Sequence, residues 1–256
     1  MPKQNKKNEQ KFSIFGQSDV GMRCMINSDC IEFDQTKGIA ILTDGLEQSE
    51  AGKISAKLAA KSVFEGLRSY TFTNDLPSSN EEQVLNAIDK LLSKTNQVLI
   101  DASKAVGEEN YMRTTIVAIL IRKRKIFLGH VGDSRVYLLR NNILERLTRD
   151  HSLVQDLVFR GVYHQRKQKS SSIDSVTRVL GAKPNIEITT LAHEIKSEDR
   201  FLLCSDGLSD MLSDKEIEKI ANTEINNLKK TTKNLIKFAN RRGGRDNISV
   251  ILAQIP

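Results

Sequence analysis

The run Gly38-Ile39-Ala40-Ile41-Leu42-Thr43-Asp44-Gly45 constrains this chain more than any other stretch. Its apolar part reads as a buried strand leaving a glycine turn. The strand delivers the carboxylate of Asp44 where it stops, and Gly45 lets the backbone bend sharply beside it. A carboxylate next to an exposed carbonyl suits a hard divalent cation. Asp-Gly is also the commonest turn signal, so the pair taken alone reads first as a plain turn.

The segments around this run alternate between strand and helix in blocks. Strands are expected over 13–20 and 30–34, with a loop at 21–27 between them. After the Asp44 strand, Ile54, Leu58, Ala60, Val63, Phe64 and Leu67 recur at helical spacing, with Lys53, Lys57, Lys61 and Glu65 opposite. A polar connection over 71–79 ends in Ser79, which with Glu82 makes a capping box. The helix it opens carries an apolar stripe from Val84 through Ile88, Leu92 and Leu99 to Ala102. Strands over 115–121, 126–131, 134–140 and 143–148 then read as a meander. A short helix is expected over 150–161, capped at Asp150 or Ser152, and a basic, Ser-rich exposed loop over 163–175. Strands at 186–191 and 200–204, helices at 213–221 and 225–239, and a strand at 247–254 close the pattern. Helices grouped between blocks of strands predict an α+β layered fold rather than strict βαβ alternation.

Composition narrows the function. The charge of +7, from 39 basic and 32 acidic residues, raises nucleic acid, an anionic surface or a phosphorylated substrate as partners. The basic residues are scattered, however, and aromatics do not interleave with them as a single-strand binder requires. No nucleic-acid partner is therefore expected. Cys24, Cys30 and Cys204 form no CxxC pair, which argues against a disulfide scaffold or a zinc site. Residues 1–11 read as a disordered basic tail without the apolar core of a signal peptide, and the longest apolar run, 116–121, is too short to span a bilayer. A cytoplasmic protein with no membrane partner is expected.

Asp29, Asp44, Asp133, Asp206 and Asp246 each sit at the edge of an expected strand beside Gly, Asn or Ser. Such a set fits either a series of turns or a carboxylate cage, and spacing alone leaves convergence open. An all-oxygen cage selects Mg²⁺ or Mn²⁺ over zinc. Two such ions, about 3.5–4 Å apart, activate water for in-line displacement at phosphorus. His130 lies within an apolar strand and reads as a packed core histidine, and His151 as a turn cap. No Gly-x-Ser-x-Gly elbow or Gly-x-x-x-x-Gly-Lys loop occurs, so serine hydrolase and ATPase readings are disfavoured.

The ordered series Asn27-Ser28-Asp29, Thr43-Asp44-Gly45, Arg113-Thr114-Thr115 and Gly129-His130-Val131-Gly132-Asp133-Ser134-Arg135 resembles the metal-dependent (PPM, type 2C) Ser/Thr protein phosphatases. It continues with Thr148-Arg149-Asp150-His151-Ser152, Thr177-Arg178-Val179-Leu180-Gly181, Cys204-Ser205-Asp206-Gly207 and Gly244-Arg245-Asp246-Asn247. The resemblance runs over nearly the whole chain. It implies a four-layer α-β-β-α sandwich of two packed antiparallel sheets flanked by helices, in one domain over 12–256 with a flap at 154–175. It implies two Mn²⁺ or Mg²⁺ ions and a third, weaker one. Asp44 would bridge the first two and Gly45 would lend its carbonyl. Asp206 and Asp246 would hold the second ion, Asp133 with Asp206 the third, and Asp29 would act through water. The implied reaction is attack of a metal-bridging hydroxide on phosphoserine or phosphothreonine. The implied partner is a phosphorylated protein, a Ser/Thr kinase or its target, met by a monomeric enzyme.

Three departures from the family pattern bear on the substrate end. The phosphate-binding Arg position is Cys24, with Arg23 one residue earlier as the substitute. The glycine-rich run after Asp44-Gly45 reads Leu46-Glu47-Gln48-Ser49, and the usual Gly-Thr-Thr reads Arg113-Thr114-Thr115. A pseudophosphatase that binds without turnover is the alternative, favoured by these departures and opposed by the intact Asp44, Asp206 and Asp246. A nucleic-acid-binding protein or nuclease is the other, resting on charge alone.

Overall fold

The computed structural model describes residues 12–73, 80–107, 111–153, 155, 176–225 and 227–256. The strands are β1 (Ser13–Asp19), β2 (Asp29–Asp34), β3 (Ile39–Gly45), β4 (Thr114–Arg122), β5 (Lys125–Val131), β6 (Arg135–Arg140), β7 (Ile143–Arg146), β8 (Thr189–Glu194), β9 (Arg200–Cys204) and β10 (Ile248–Gln254). The helices are α1 (Glu50–Thr73), α2 (Glu81–Ala105), α3 (Asp206–Ser209), α4 (Asp214–Ala221) and α5 (Leu228–Arg241).

The strands form two antiparallel five-stranded sheets, ordered β1-β10-β9-β6-β7 and β2-β3-β4-β5-β8. Alternation along β3 shows why its sequence is apolar throughout. Ala40 and Leu42 face the other sheet, in a core shared with Val117, Ile119, Leu128, Val136, Leu138, Phe201, Leu203 and Ile251. Ile39 and Ile41 face the opposite way, against Ala59, Ala60, Val63 and Leu67 of α1 and Ile88 and Leu92 of α2. The outer face of the first sheet is covered in the same manner: Tyr137, Leu202, Val250 and Leu252 pack against Ile217 and Ile220 of α4 and Leu235, Ile236 and Ala239 of α5. The result is the expected four-layer α-β-β-α sandwich. None of the described helices is long and apolar enough to cross a membrane.

Several local expectations shift. The capping box of α2 starts at Asn80 rather than Ser79: Asn80 Oδ1 accepts the Glu82 N–H at 2.6 Å, and Gln83 Oε1 accepts the Asn80 N–H at 3.1 Å. The strand expected at 186–191 forms three residues later as β8, because Ile186 and Ile188 pack against the helices without entering the ladder. The expected meander is divided between the sheets. β4 and β5 pair in one, β6 and β7 in the other, and the chain crosses over at Gly132-Asp133-Ser134. The helix expected over 150–161 lies outside the described residues apart from 150–153 and 155; Asp150 accepts ion pairs from Arg135 at 2.8 Å and from Arg146. Ser152 Oγ accepts the Gln155 N–H at 3.4 Å. The tail at 1–11, the loop at 163–175 and, apart from residue 155, the flap at 154–175 lie outside the described residues.

The inter-sheet core sets the stability of this arrangement. Leu203→Ala removes a fully buried side chain between the sheets. Its expected cost is about 2–5 kcal/mol, which lowers the melting temperature by roughly 5–15 °C for a chain of this size. A drop below about 2 °C in a thermal melt would contradict a shared core.

Candidate metal centre

Antiparallel pairing brings the sequence-predicted aspartates to one end of the sandwich. Asp29 on β2 stands directly opposite Asp44 on β3, and Asp44 opposite Thr115 on β4. On the other sheet, Cys204 at the end of β9 pairs with both Val250 and Arg135. The chain therefore leaves that sheet's end at Asp206 and enters it at Asp133 and Asp246. Two glycines make the approach close enough. A side chain on Gly207 would meet the carbonyl of Asn247 at 2.0 Å, so only glycine lets the Asp206 turn lie on the Asp246 loop. Gly132 has φ +116°, and a Cβ there would strike Thr115 at 2.5 Å.

Asp44, Asp133, Asp206 and Asp246 line one cleft of about 420 Å³ together with Gly45, Glu47, Gln48 and Thr115. Asp29 stands behind it, with Oδ2 accepting from Ser205 Oγ at 2.9 Å and Oδ1 buried without a partner. Asp206 Oδ1 is likewise buried and unpartnered. Asp246 Oδ1 accepts from its neighbour's backbone, Asn247 N–H, at 2.7 Å and from Gln48 Nε2 at 3.2 Å. Asn247 ties the loop before β2 to this site: its Oδ1 accepts the Ser28 N–H at 2.7 Å, and its Nδ2 donates to the carbonyls of Val20 and Ile26.

Burial is the main force on these carboxyls, and their neighbours add to it. Asp44 is held well above the ordinary carboxylate range by desolvation, then by the charges of Asp29, Asp206, Asp133 and Asp246. Asp206 is raised in the same way by desolvation, then by Asp133 and Asp210. Desolvation lifts Asp29 to about 6 against the hydrogen bond from Ser205, and lifts Asp133 to about 6 with help from Asp150. Buried oxygens without donors, ringed by like charges, fit a divalent cation bound by oxygen alone. Among the described residues no three His, Cys, Asp or Glu side chains close into a ready ligand cage, so the aspartates ring the cleft rather than fill it.

The remaining expectations divide. His130 is fully buried with neither ring nitrogen partnered, stacked at 4.5 Å on His151, and far from charged because burial holds its basicity down. It is a core residue, as its place in β5 suggested. His151 fastens a turn: its Nδ1 accepts the Gly132 N–H at 3.1 Å. Arg23 is exposed on the turn before β2 and is not among the residues lining the cleft. The thiol of Cys24 instead lies 3.8 Å from Asp246 Oδ1.

Sequence reasoning passed over Ser205, Asn247 and Thr115, whose Oγ1 lies 2.8 Å from Ser134 Oγ beside the crossover. It also passed over Asp210, four residues after Asp206, whose N–H donates to the Asp206 carbonyl at 2.7 Å. Ser205 and Asn247 carried a signal, each adjoining an aspartate already singled out; Thr115 and Asp210 carried none of that kind.

The family described as Protein phosphatase 2C matches residues 23–253. The serine/threonine phosphatase stp of Listeria monocytogenes serotype 4b is 29% identical over 229 residues, 89% of this chain and 88% of that protein. The structure of the S. agalactiae serine/threonine phosphatase superposes with a TM-score of 0.85 at 28% identity, covering 96% of this chain and 100% of that one. The catalytic domain of serine threonine protein phosphatase PstP, solved in complex with 2 manganese ions, gives 0.80 at 28% identity, over 95% and 98% of the two chains.

Crowded carboxyls make the metal-free fold sensitive to pH. In the unfolded chain these aspartates ionise near 3.8, below their folded values. The folded protein therefore holds more protons between those values, and the site costs stability as pH rises through about 6. Asp206→Asn is expected to raise the melting temperature in chelator by a few degrees, more at pH 7.5 than at pH 5. Added Mn²⁺ should raise the melting temperature of the unsubstituted protein and have a much smaller effect on the variant. Equal melts for both proteins at both pH values would contradict a repulsive carboxylate cluster.

Proposed function

The chain belongs to the protein phosphatase 2C family, and on that premise we propose that the aspartate-lined cleft is the metal centre of a protein serine/threonine phosphatase that uses Mn²⁺ or Mg²⁺. The observation that carries this reading is the meeting of Asp44, Asp133, Asp206 and Asp246, drawn from both sheets, around one cleft.

Bound ions supply positive charge against the phosphate oxygens and make a water acidic enough to attack at neutral pH. The residues of this chain would divide the rest of the work. Asp44, between Asp29 and Thr115 in the sheet, is the carboxylate we assign to two ions, with the Gly45 carbonyl beside it. Asp206 and Asp246, pressed together by Gly207, are assigned to the second ion, and Asp133 with Asp206 to a third. Asp29 is the residue we assign to act through a metal-bound water, with Oδ1 as the oxygen left for it because Oδ2 accepts from Ser205. Ser205 itself is fixed by the β10 strand, its Oγ accepting the Ser249 N–H at 3.0 Å.

The substrate in this reading is a phosphorylated protein, a Ser/Thr kinase or its target. We extend it to a signalling role for a monomeric, cytoplasmic enzyme without nucleic-acid or membrane partners, its residues 12–256 forming one phosphatase domain.

Phosphopeptide hydrolysis should need added Mn²⁺ or Mg²⁺, stop with chelator and return when metal is restored. Asp206→Asn and Asp44→Asn should each lower kcat by more than about 100-fold, beyond the loss typical of residues that merely support a ligand. Turnover that survives both chelator and substitution would refute the metal mechanism. Metal binding seen by a thermal shift, without turnover under any condition, would leave a binding module in its place.

A further inference from the structure

The cleft presents carboxylates to a substrate that is itself anionic. Asp44, Glu47, Asp133, Asp206 and Asp246 line it, and among the described residues its lining includes no Lys, Arg or His. Metal ions would answer the aspartates at its floor. Glu47, at its rim, is answered by a side chain: Arg113 Nη2 donates to Glu47 Oε1 at 2.9 Å.

Glu47 is an unexpected residue for its backbone. Its φ is +73°, a left-handed conformation that a side chain makes costly by about 1–2 kcal/mol. The loop is nevertheless held there by the sheet. The Leu46 N–H donates to the Arg113 carbonyl at 3.1 Å, and the Glu47 carbonyl accepts from Ser49 N–H at 2.8 Å and Ser28 Oγ at 3.1 Å. A carboxylate kept at a position that favours glycine, facing a guanidinium on the neighbouring segment, forms a pair at the entrance to the cleft.

Arg113 is built to change partners. It lies two residues before Thr115, a cleft-lining residue, on the segment that enters β4. Its Nε is buried with no acceptor among the described residues, so one of its donors is unmet there while Nη2 holds Glu47. The ion pair itself is open to water, with side-chain exposures of 31% for Arg113 and 67% for Glu47. Pairs so exposed are worth little, about 0–1 kcal/mol. A phosphate dianion offers the fork of a guanidinium more charge and a bidentate geometry.

We propose that Arg113 is the residue that grips the substrate's phosphate at the mouth of this cleft, with Glu47 as the carboxylate that holds it until phosphate displaces it. The proposal rests on the phosphatase reading of the site and adds its substrate-recognising residue. It also gives the exposed Arg23 no part in phosphate binding.

The experiment measures kcat and KM for a phosphothreonine peptide in saturating Mn²⁺, together with inhibition by inorganic phosphate. Arg113→Ala should raise KM and the phosphate inhibition constant by about tenfold, the scale of a charge-assisted hydrogen bond, with a smaller change in kcat. Glu47→Gly keeps the left-handed backbone without strain and frees the arginine, so KM and the phosphate constant should fall by roughly 2–5-fold. In the Arg113→Ala background Glu47→Gly should lose most of that effect. Arg23→Ala should leave both constants within about twofold, as an exposed surface substitution does.

Opposite signs for the two single variants separate recognition from loop support. A pair that only staples the loop would raise KM, or lower Mn²⁺ affinity, in both variants alike, and that result would overturn the proposal. So would a rise in KM at Arg23→Ala with none at Arg113→Ala. An unsubstituted protein with no Mn²⁺-dependent turnover would overturn the phosphatase reading instead, a failure distinguishable from the first two.

Discussion

Mutual repulsion among buried carboxylates is the constraint around which this structure is arranged. Asp44 and Asp206 are each lifted by desolvation and then by the other aspartates, so their protein surroundings favour neither charge nor closeness. They stay together because each is fixed to a strand or turn that cannot move independently. Ile39, Ile41 and Leu42, on the strand that leads to Asp44, are fully buried, as are Leu203 and Cys204 before Asp206. Apolar contact along the strands holds the ends in place, and the ends carry the charge. Removing such a strand from its sheet would expose the core on both faces, at a cost well above the repulsion it relieves.

The same logic explains the division of labour between the sheets. One contributes Asp29 and Asp44 from adjacent antiparallel strands. The other contributes Asp206 at the exit from β9, and its central position beside β6 and β10 brings in Asp133 and Asp246. A cation between the two groups would lie at the junction of the layers, answering charges that no basic side chain among the described residues of the cleft lining answers. Metal binding and sheet packing then support each other, since each fixes the relative position of the two edges.

Periodicity made most of the elements legible, because burial on both faces leaves an uninterrupted apolar run and burial on one leaves a stripe. β9 was readable to the residue from Arg200 to Cys204, and Ser213 marked the start of α4. Sheet membership was not readable. β5 and β6 are separated by Gly132-Asp133-Ser134, a spacing that fits a hairpin as well as a crossover, and only the packed core distinguishes them. Nor was the cap of α2, where Ser79 and Asn80 are both competent and the side-chain geometry decides for Asn80. The aspartates were visible individually as turn residues. Their convergence was carried by whole strings such as Gly129 to Arg135, while Ser205 and Asn247, which orient the carboxylates, look like ordinary turn residues until the strands are paired.

The loop after Asp44 shows how a site can keep its floor and change its rim. The Gly45 N–H donates to the Ser28 carbonyl at 3.1 Å, which ties the end of β3 to the loop before β2. From Leu46 onward the chain reaches solvent, and substitutions there need only satisfy the backbone path. Glu47 accepts the left-handed turn, Gln48 turns its amide to Asp246, and Arg113 supplies the opposite charge from the segment that enters β4. Glu47 and Arg113 both stand where residues without charge are usual in the resembled family, and they meet each other. A lone acid at that rim would oppose an anionic substrate, and a lone guanidinium there would lack a partner in the free enzyme. Together they leave the entrance neutral until a stronger anion arrives.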